Sequence, residues 1–391
     1  MVACSGKDGS HILSKIKQIL TSTGRLLAVS ADASLRSRRF QAKDVLLFVT
    51  YRCTSRCVGC NIWQRPNPDR KELEWTEWRP IFEDLAAAGV TKVELFGGDA
   101  LLRKELLFDM TRFCREHDIL SFLPTNSNGL TEDTVTALVE AGLDVVYLSL
   151  DELPDIDGEI RGTKRHFERV MRAIAWFRAA RGSGKSPRIE CLTTVSAGNW
   201  RRLPELLGAA RDHGADAHHL WAMSEFSPAS VEASAVQGIA PNPYFMSTDG
   251  TSHRLSREEA RELKSMLRDL RARSKEYAPM AIKTETIEHL DIAALSTQYF
   301  PYQKCLPCTN MIVLSPYGEV MPCPYFGNYV LGNLSESRLG EVWGSEKHTR
   351  FVQVQRRREL PVCDQCSWKF AYRPFLAAVR NETRRVWERV F

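Results

Sequence analysis

No run in the 391 residues approaches the ~20 apolar residues that a membrane-crossing helix needs. The opening Met1-Val-Ala-Cys-Ser-Gly-Lys7 lacks the apolar core of a secretory signal. No internal repeat is present. Together these absences argue against a spanning protein or a repeat array, leave membrane association unexpected and make the cytoplasm the expected location. Charge of one sign is also missing in excess: 53 Lys and Arg against 48 Asp and Glu give a net charge of +5, a balance that names no partner. No nucleic acid is expected. The 43% apolar and 26% charged fractions are those of an ordinary globular chain, long enough for one large domain and a smaller one.

Cysteine, by contrast, is plentiful. Eleven in a chain without an export signal argue for metal ligands and against disulfides. Cys53, Cys57 and Cys60 form one group; Cys305, Cys308, Cys323, Cys363 and Cys366 form another. Cys4, Cys114 and Cys191 stand alone, and the last two fall in a predicted helix and strand, where a thiol acts as a small hydrophobe. Basic residues concentrate at 11–43, in Arg356–Arg358 and from Arg380 to Arg389. A solvated face is the plain reading, an acidic substrate or membrane surface the alternative.

Hydrophobic periodicity divides the chain. Residues 1–43 read as an N-terminal helical extension. From residue 44 to 225, strand-like runs (Val45–Val49, Val93–Phe96, Ile119–Leu123, Val145–Leu150, Ile189–Val195 and 217–222) alternate with helical ones. Thr76 is expected to cap the first helix, Thr131 the third, and Gly89, Gly142 and Gly214 to stop their helices. Six such β-then-α units predict an α/β fold, a parallel sheet covered by helices and curved or closed into a barrel. Its chemistry is expected at the C-terminal strand ends. Residues 226–299 read as a loop or lid and a helical connector, with a capping box at Ser256-Arg-Glu-Glu259. Residues 300–373 look like a separate small cysteine-rich domain, and 374–391 like a basic C-terminal helix.

The first cysteine group directly follows a strand, in Cys53-Thr-Ser-Arg-Cys57-Val-Gly-Cys60. Three thiolates can hold three irons of a 4Fe–4S cluster, and the iron without a protein ligand is open to a small molecule. Zinc is the alternative, but no Cys or His nearby in sequence completes its four-ligand set. Other pieces follow in order: Phe96-Gly97-Gly98-Asp99 after the second strand, Thr125-Asn126-Ser-Asn128-Gly129 after the third, Ser149-Leu-Asp151 after the fourth, then Arg161. Singly, Gly97-Gly98 is a turn and Asn126 and Asn128 are turn residues. Glycines also let backbone approach a ligand closely, and Asp99 supplies a carboxylate for an ammonium group. Ser149 and Asp151, two apart on a strand, share a side.

In spacing and order these motifs resemble the radical S-adenosylmethionine (SAM) enzymes, over roughly residues 45–225. The resemblance implies a partial (β/α)6 barrel and a 4Fe–4S cluster on Cys53, Cys57 and Cys60. It further implies SAM held by Gly97, Gly98, Asp99, Asn126, Asn128, Ser149, Asp151 and Arg161, with Ser149 and Asp151 toward the ribose hydroxyls and Arg161 on the SAM carboxylate. The activity implied is reductive cleavage of SAM to a 5′-deoxyadenosyl radical that takes hydrogen from a substrate, fed by an electron donor such as flavodoxin or ferredoxin. Two departures stand out. Gly59 replaces the aromatic residue usual before the third cysteine, so adenine packing falls to another residue such as Trp63, and Asp99 replaces the commoner Glu.

Around the second group, Cys308 to Cys323 reads as a hairpin turning at Pro316-Tyr-Gly318, with Cys363-Asp-Gln-Cys366 following. This resembles the SPASM or shorter "twitch" extension of the same enzymes. Because no cysteine follows Cys366, one auxiliary 4Fe–4S cluster is expected, on Cys305, Cys323, Cys363 and Cys366, with Cys308 as the alternative to Cys305. A four-cysteine zinc site has the same pattern. The substrate is a small-molecule metabolite or a peptide; the ~40 residues before the first strand are short for a peptide-recognition domain. A non-catalytic zinc or nucleic-acid-binding protein is the competing class.

Overall fold

Six strands alternate with five helices, as the periodicity predicts. They are β1 Asp44–Phe48, β2 Lys92–Phe96, β3 Leu120–Thr125, β4 Val145–Ser149, β5 Arg188–Val195 and β6 Ala217–Ala222. Each pairs in parallel with the next. The connecting helices are Trp75–Ala87, Lys104–Glu116, Glu132–Ala141, His166–Arg181 and Leu203–His213. The computed structural model describes residues 43–368 apart from 66–68, 247–249, 285, 301–304 and 306. The helices expected over 1–43 and 374–391 lie outside the described residues but for Lys43.

Local chemistry sets the helix ends. Thr131 accepts a hydrogen bond from the Thr134 N–H at 3.2 Å, and Gly142 closes that helix in the left-handed region at φ 95°. The first helix begins at Glu74, not at Thr76. The Glu77 carboxylate returns to the Glu74 N–H at 2.9 Å, a closure that Thr76, already inside the first turn, has no equivalent for. Ser256 and Glu259 make the expected box at the start of Arg257–Ala272.

β1 is buried along almost its whole length, and Leu95, Leu123, Val146, Leu148 and Ile189 are buried in its neighbours. Covered on both faces, these strands read as continuous apolar runs, and each enclosed aliphatic side chain is worth about 1.5–3 kcal/mol.

Two features were not legible as strands of this sheet. β7, Ala281–Lys283, joins β6 in parallel from within the segment expected to be loop and helical connector; three residues are too few to show alternation. The predicted hairpin is present as β8 Met311–Leu314 and β9 Glu319–Met321. However, β8 lies parallel against β1, and the two-residue β10 Gly332–Asn333 continues beyond β9. The sheet order is β10-β9-β8-β1-β2-β3-β4-β5-β6-β7. The cysteine-rich segment therefore extends the barrel sheet at the β1 edge instead of standing apart from it. The described residues form one compact unit. β1 runs into the first cysteine loop, while Cys308 and Cys323 flank the open end of the hairpin. No helix among the described residues is long and apolar enough to cross a membrane.

Candidate active site

The loop after β1 is fixed first by the end of β2. The Gly98 N–H donates to the Thr50 carbonyl at 2.9 Å, and the Asp99 N–H donates to the Arg52 carbonyl at 2.8 Å. A Cβ on Gly97 would stand 2.5 Å from the Thr50 oxygen, and one on Gly98 would stand 2.3 Å from the Arg52 oxygen. Gly97 also holds φ at +150°. The glycine pair is thus demanded by the cysteine loop's own backbone, which occupies the space the sequence analysis reserved for a ligand.

Side chains from β2 and β3 then hold Thr54 and Ser55, between the first two cysteines. The buried Asp99 carboxylate accepts the Thr54 hydroxyl through one oxygen and the Leu101 N–H at 3.2 Å through the other. Asn126 Nδ2 donates to Ser55 Oγ at 2.9 Å, and Asn128 Nδ2 donates to Thr54 Oγ1 at 2.9 Å. Burial pushes the Asp99 carboxyl above its ordinary range.

A second clamp comes from the segment after β4. Glu152, fully buried, accepts the N–H groups of Gly158 and Ile160 at 2.9 Å each and that of Arg161 at 3.2 Å. The turn so closed presents its backbone to the cysteines: the Arg56 N–H donates to Arg161 O at 3.3 Å and the Val58 N–H to Ile160 O at 3.1 Å. Asp151 spends one oxygen on the Thr194 N–H at 2.7 Å and the other on the Arg161 guanidinium, whose Nη1 stands 3.9 Å from Cys57 Sγ. Sequence reasoning placed Asp151 on ribose and Arg161 on a carboxylate; in the structure they hold each other. Glu152 was missed, although two adjacent acids at the end of an apolar strand were a signal. Ser149 is half-buried, and its carbonyl accepts His166 Nε2 at 2.9 Å. Trp63 donates from Nε1 to Cys60 O at 3.1 Å, and Arg56 covers its ring at 4.6 Å.

Burial pushes the Cys53 thiol up to about 11 and the Cys60 thiol up to about 12. Cys57 is shifted the same way for the same reason, with Arg161 opposing it. Thiols so placed become thiolates only against a compensating cation.

The second group also converges. Cys323 is raised well above the ordinary thiol range, first by burial and then by Cys366, Cys305 and Cys363. Cys308 is raised too, led by its hydrogen bond with Cys305; it is buried, and its Sγ donates to the Cys305 carbonyl at 3.2 Å. Among the described residues, no three His, Cys, Asp or Glu side chains crowd around a single-ion position.

The comparisons with known proteins fall on the same two regions. Residues 47–189 match the model of the radical SAM superfamily, and residues 305–367 match that of an iron–sulfur cluster-binding domain, SPASM. The chain is a radical SAM protein with a C-terminal SPASM domain. It is 23% identical over 356 residues to a cofactor-modifying protein for the tungsten-containing aldehyde ferredoxin oxidoreductase of Pyrococcus furiosus, covering 84% of this chain and 88% of that one. It is 33% identical over 136 residues to the PqqA peptide cyclase of Ruegeria pomeroyi, covering 34% and 36% of the two chains. SAM-bound SuiB of Streptococcus suis shares the fold, with a TM-score of 0.61 at 17% identity, over 85% of this chain and 75% of that one.

A radical SAM protein uses SAM and a 4Fe–4S cluster, and a SPASM domain carries auxiliary iron–sulfur. The zinc reading of the paired cysteines gives way to these. The donor set fits: three thiols in one loop and five in the hairpin region. Orphaned polar atoms fit as well. The hydroxyls of the buried Tyr244 and Tyr325, Arg65 Nη2 and Asn61 Oδ1 have no hydrogen-bond partner among the described residues. Tyr244 is within electrostatic reach of both Cys60 and Cys323, and Tyr325 of Cys366, Cys323 and Cys305. Arg65 stacks over the rings of Tyr51 at 5.7 Å and Tyr244 at 5.3 Å. Phenols and a guanidinium beside thiolates and sulfides would donate to them.

Proposed function

We propose that this radical SAM enzyme takes a hydrogen atom from a small-molecule metabolite and that one auxiliary 4Fe–4S cluster aids the oxidation or binds substrate. The observation that carries this reading is a shared interior. Cys53 and Cys60 of the first group and Cys305, Cys323 and Cys363 of the second pack on one apolar cluster that contains Phe48, Tyr244 and Tyr325. An apolar cluster shared by both groups supports a substrate held between them. Its aromatic wall is continuous: Phe48 and Tyr244 lie 5.8 Å apart, Tyr244 and Tyr325 5.5 Å, and Tyr325 and Phe226 4.6 Å. Such a wall excludes water, which a reactive radical requires.

When bound, the cluster and SAM supply a 5′-deoxyadenosyl radical. The roles of the chain follow from its contacts. Cys53, Cys57 and Cys60 hold the first cluster. Asp99 receives the SAM ammonium, with Gly97 and Gly98 keeping its strand end tight on the loop. Asn126 and Asn128 brace Thr54 and Ser55. Ser149 faces the ribose, while Asp151 orients Arg161 beside Cys57. Cys305, Cys323, Cys363 and Cys366 hold the auxiliary cluster, with Cys308, buried on the same apolar cluster, as the alternative to Cys305. The enzyme works in the cytoplasm with a flavodoxin or ferredoxin as electron donor.

A small molecule is favoured over a peptide because the cofactor-modifying relative matches most of the chain, whereas the peptide cyclase matches about a third of it. The higher identity of that shorter match favours a peptide as the second reading. Anaerobically reconstituted protein incubated with SAM and dithionite should yield 5′-deoxyadenosine; zinc without iron, or no cleavage, would refute the enzyme. Substrate-dependent stimulation by metabolite extract, against extract freed of small molecules, separates metabolite from peptide.

A further inference from the structure

A second polar recess lies beside the cysteine-loop clamp. Ser127, Leu130, Arg165, Arg169, Arg172 and Trp176 line a cavity of about 220 Å³. Three of them share one face of the helix His166–Arg181, because 169, 172 and 176 follow the i, i+3, i+7 stripe, and Arg165 caps the helix start in the left-handed region at φ 58°. Ser127 comes from the turn after β3, where it holds φ at 63° between Asn126 and Asn128.

Three arginines on one recess require an explanation. Many surface arginines among the described residues make ion pairs, for example Arg79 with Glu83, Arg202 with Glu205 and Arg273 with Glu276. Among the described residues no carboxylate lies within ion-pair distance of Arg165, Arg169 or Arg172. Of the acids at this end of the helix, Glu168 in its first turn makes no ion pair with these arginines, and Asp157 feels Arg169 only at longer range and spends its oxygens on the N–H groups of Arg165 at 2.6 Å and His166 at 2.9 Å. Two buried polar atoms in the lining also lack partners among the described residues: Ser127 Oγ, on a residue 1% exposed, and Arg169 Nε. The other end of Arg169 is anchored, its Nη1 donating to the Lys164 carbonyl and its Nη2 to Thr163 Oγ1 at 3.1 Å. Leu130 and Trp176 make the apolar wall, and Arg172 lies over the Trp176 ring at 5.8 Å.

We propose that this recess is an anion site for a phosphate-bearing small molecule, separate from the SAM site. Three guanidinium groups match the charge of a phosphate or diphosphate better than that of one carboxylate; the planar forks of Arg165 and Arg172 pair with phosphate oxygens two at a time, and Arg169 adds its Nε. The volume is below the ~300 Å³ at which drug-sized ligand pockets begin, so it takes a charged group and not a whole large ligand. Ser127 Oγ and Arg169 Nε then gain the acceptor they lack. Trp176 offers a flat surface for whatever the phosphate is attached to.

Calorimetric titration of the reconstituted holoenzyme with pyrophosphate and with inorganic phosphate, at ionic strength matched with chloride, tests this. Saturable binding at one site per chain is expected, weakened at least tenfold in an Arg165→Gln/Arg172→Gln double variant. Arg169→Lys, which keeps charge but loses the fork, should weaken it less. SAM cleavage without substrate should be unchanged in the double variant, and its melting temperature should match the parent's. Equal binding by parent and variant, or none by either, overturns the site. A polyglutamate peptide binding where phosphate does not would make the face a protein-docking surface and overturn the ligand class. Loss of SAM cleavage in a variant that folds normally would assign the recess to the SAM site instead.

Discussion

Arg161 grips Asp151 with Nε and Nη2 and leaves its remaining nitrogen 3.9 Å from the Cys57 sulfur. One guanidinium therefore joins the end of β4 to the middle cysteine of the first group. Asp151 is almost completely buried, with its side chain 2% exposed, so removing its partner strands a charge. Arg161→Gln should cost about 3–5 kcal/mol in urea unfolding, the usual penalty for breaking a buried pair from one side. Iron retained by the first cluster should fall with it. The double variant Arg161→Gln/Asp151→Asn should recover much of the stability; if it is as unstable as the single variant, the pair is not what holds the two segments.

Arg65 is a cation set between aromatic rings with no ion pair among the described residues, within electrostatic reach of Cys60. A fixed positive charge favours the reduced, more negative cluster. Arg65→Gln should shift the reduction equilibrium of the first cluster roughly tenfold toward the oxidised form, about 59 mV for one electron, read by redox titration with electron paramagnetic resonance. An unchanged midpoint would mean that Arg65 serves packing alone.

Gly59 stands where related enzymes carry an aromatic residue, and a Cβ there meets nothing within 4 Å. Trp63, the candidate substitute, already carries Arg56 on its ring. Gly59→Phe should be tolerated without loss of melting temperature and should lower the KM for SAM severalfold by supplying a surface for adenine. A raised KM would show that this space is needed empty.

Burial pushes both His166 and His218 down to about 3. Each is neutral in the folded protein, while in the unfolded chain it takes up a proton near 6.5. Their stabilising effect is present above that pH and is lost as pH falls from about 6.5 toward 3, by about 1.4 kcal/mol per unit for each. Urea midpoints should drop between pH 7 and 5, before most carboxylates titrate. His218→Gln, which preserves a donor for Thr193 Oγ1 at 2.8 Å, should flatten that slope; an unchanged slope would place the sensitivity elsewhere.

Much of the architecture was legible because it is local. The six parallel strands and most of their helices follow from apolar runs, and Thr131, Gly142 and Ser256 mark helix ends by chemistry that acts within four residues. β7 was missed because a three-residue strand carries no period. The glycine pair was located, but its reason lay in Thr50 and Arg52, far away in the chain. Glu152 went unread because its partners are backbone N–H groups of a turn that exists only once the carboxylate has gathered them.

The sequence by itself determined the donors: three thiols in one loop, five spread between residues 305 and 366, and an ordered set of strand-end motifs that give the family its signature. Tertiary structure alone decided that β8 lies against β1, which joins the cysteine-rich segment to the barrel sheet and sets both thiol groups on one apolar interior. It also turned Asp151 and Arg161 toward each other and left three arginines facing a recess with no ion-paired acid among the described residues. Pairing between distant segments depends on which faces remain to be buried and which charges remain to be satisfied after the local elements form, and no short stretch of sequence encodes that.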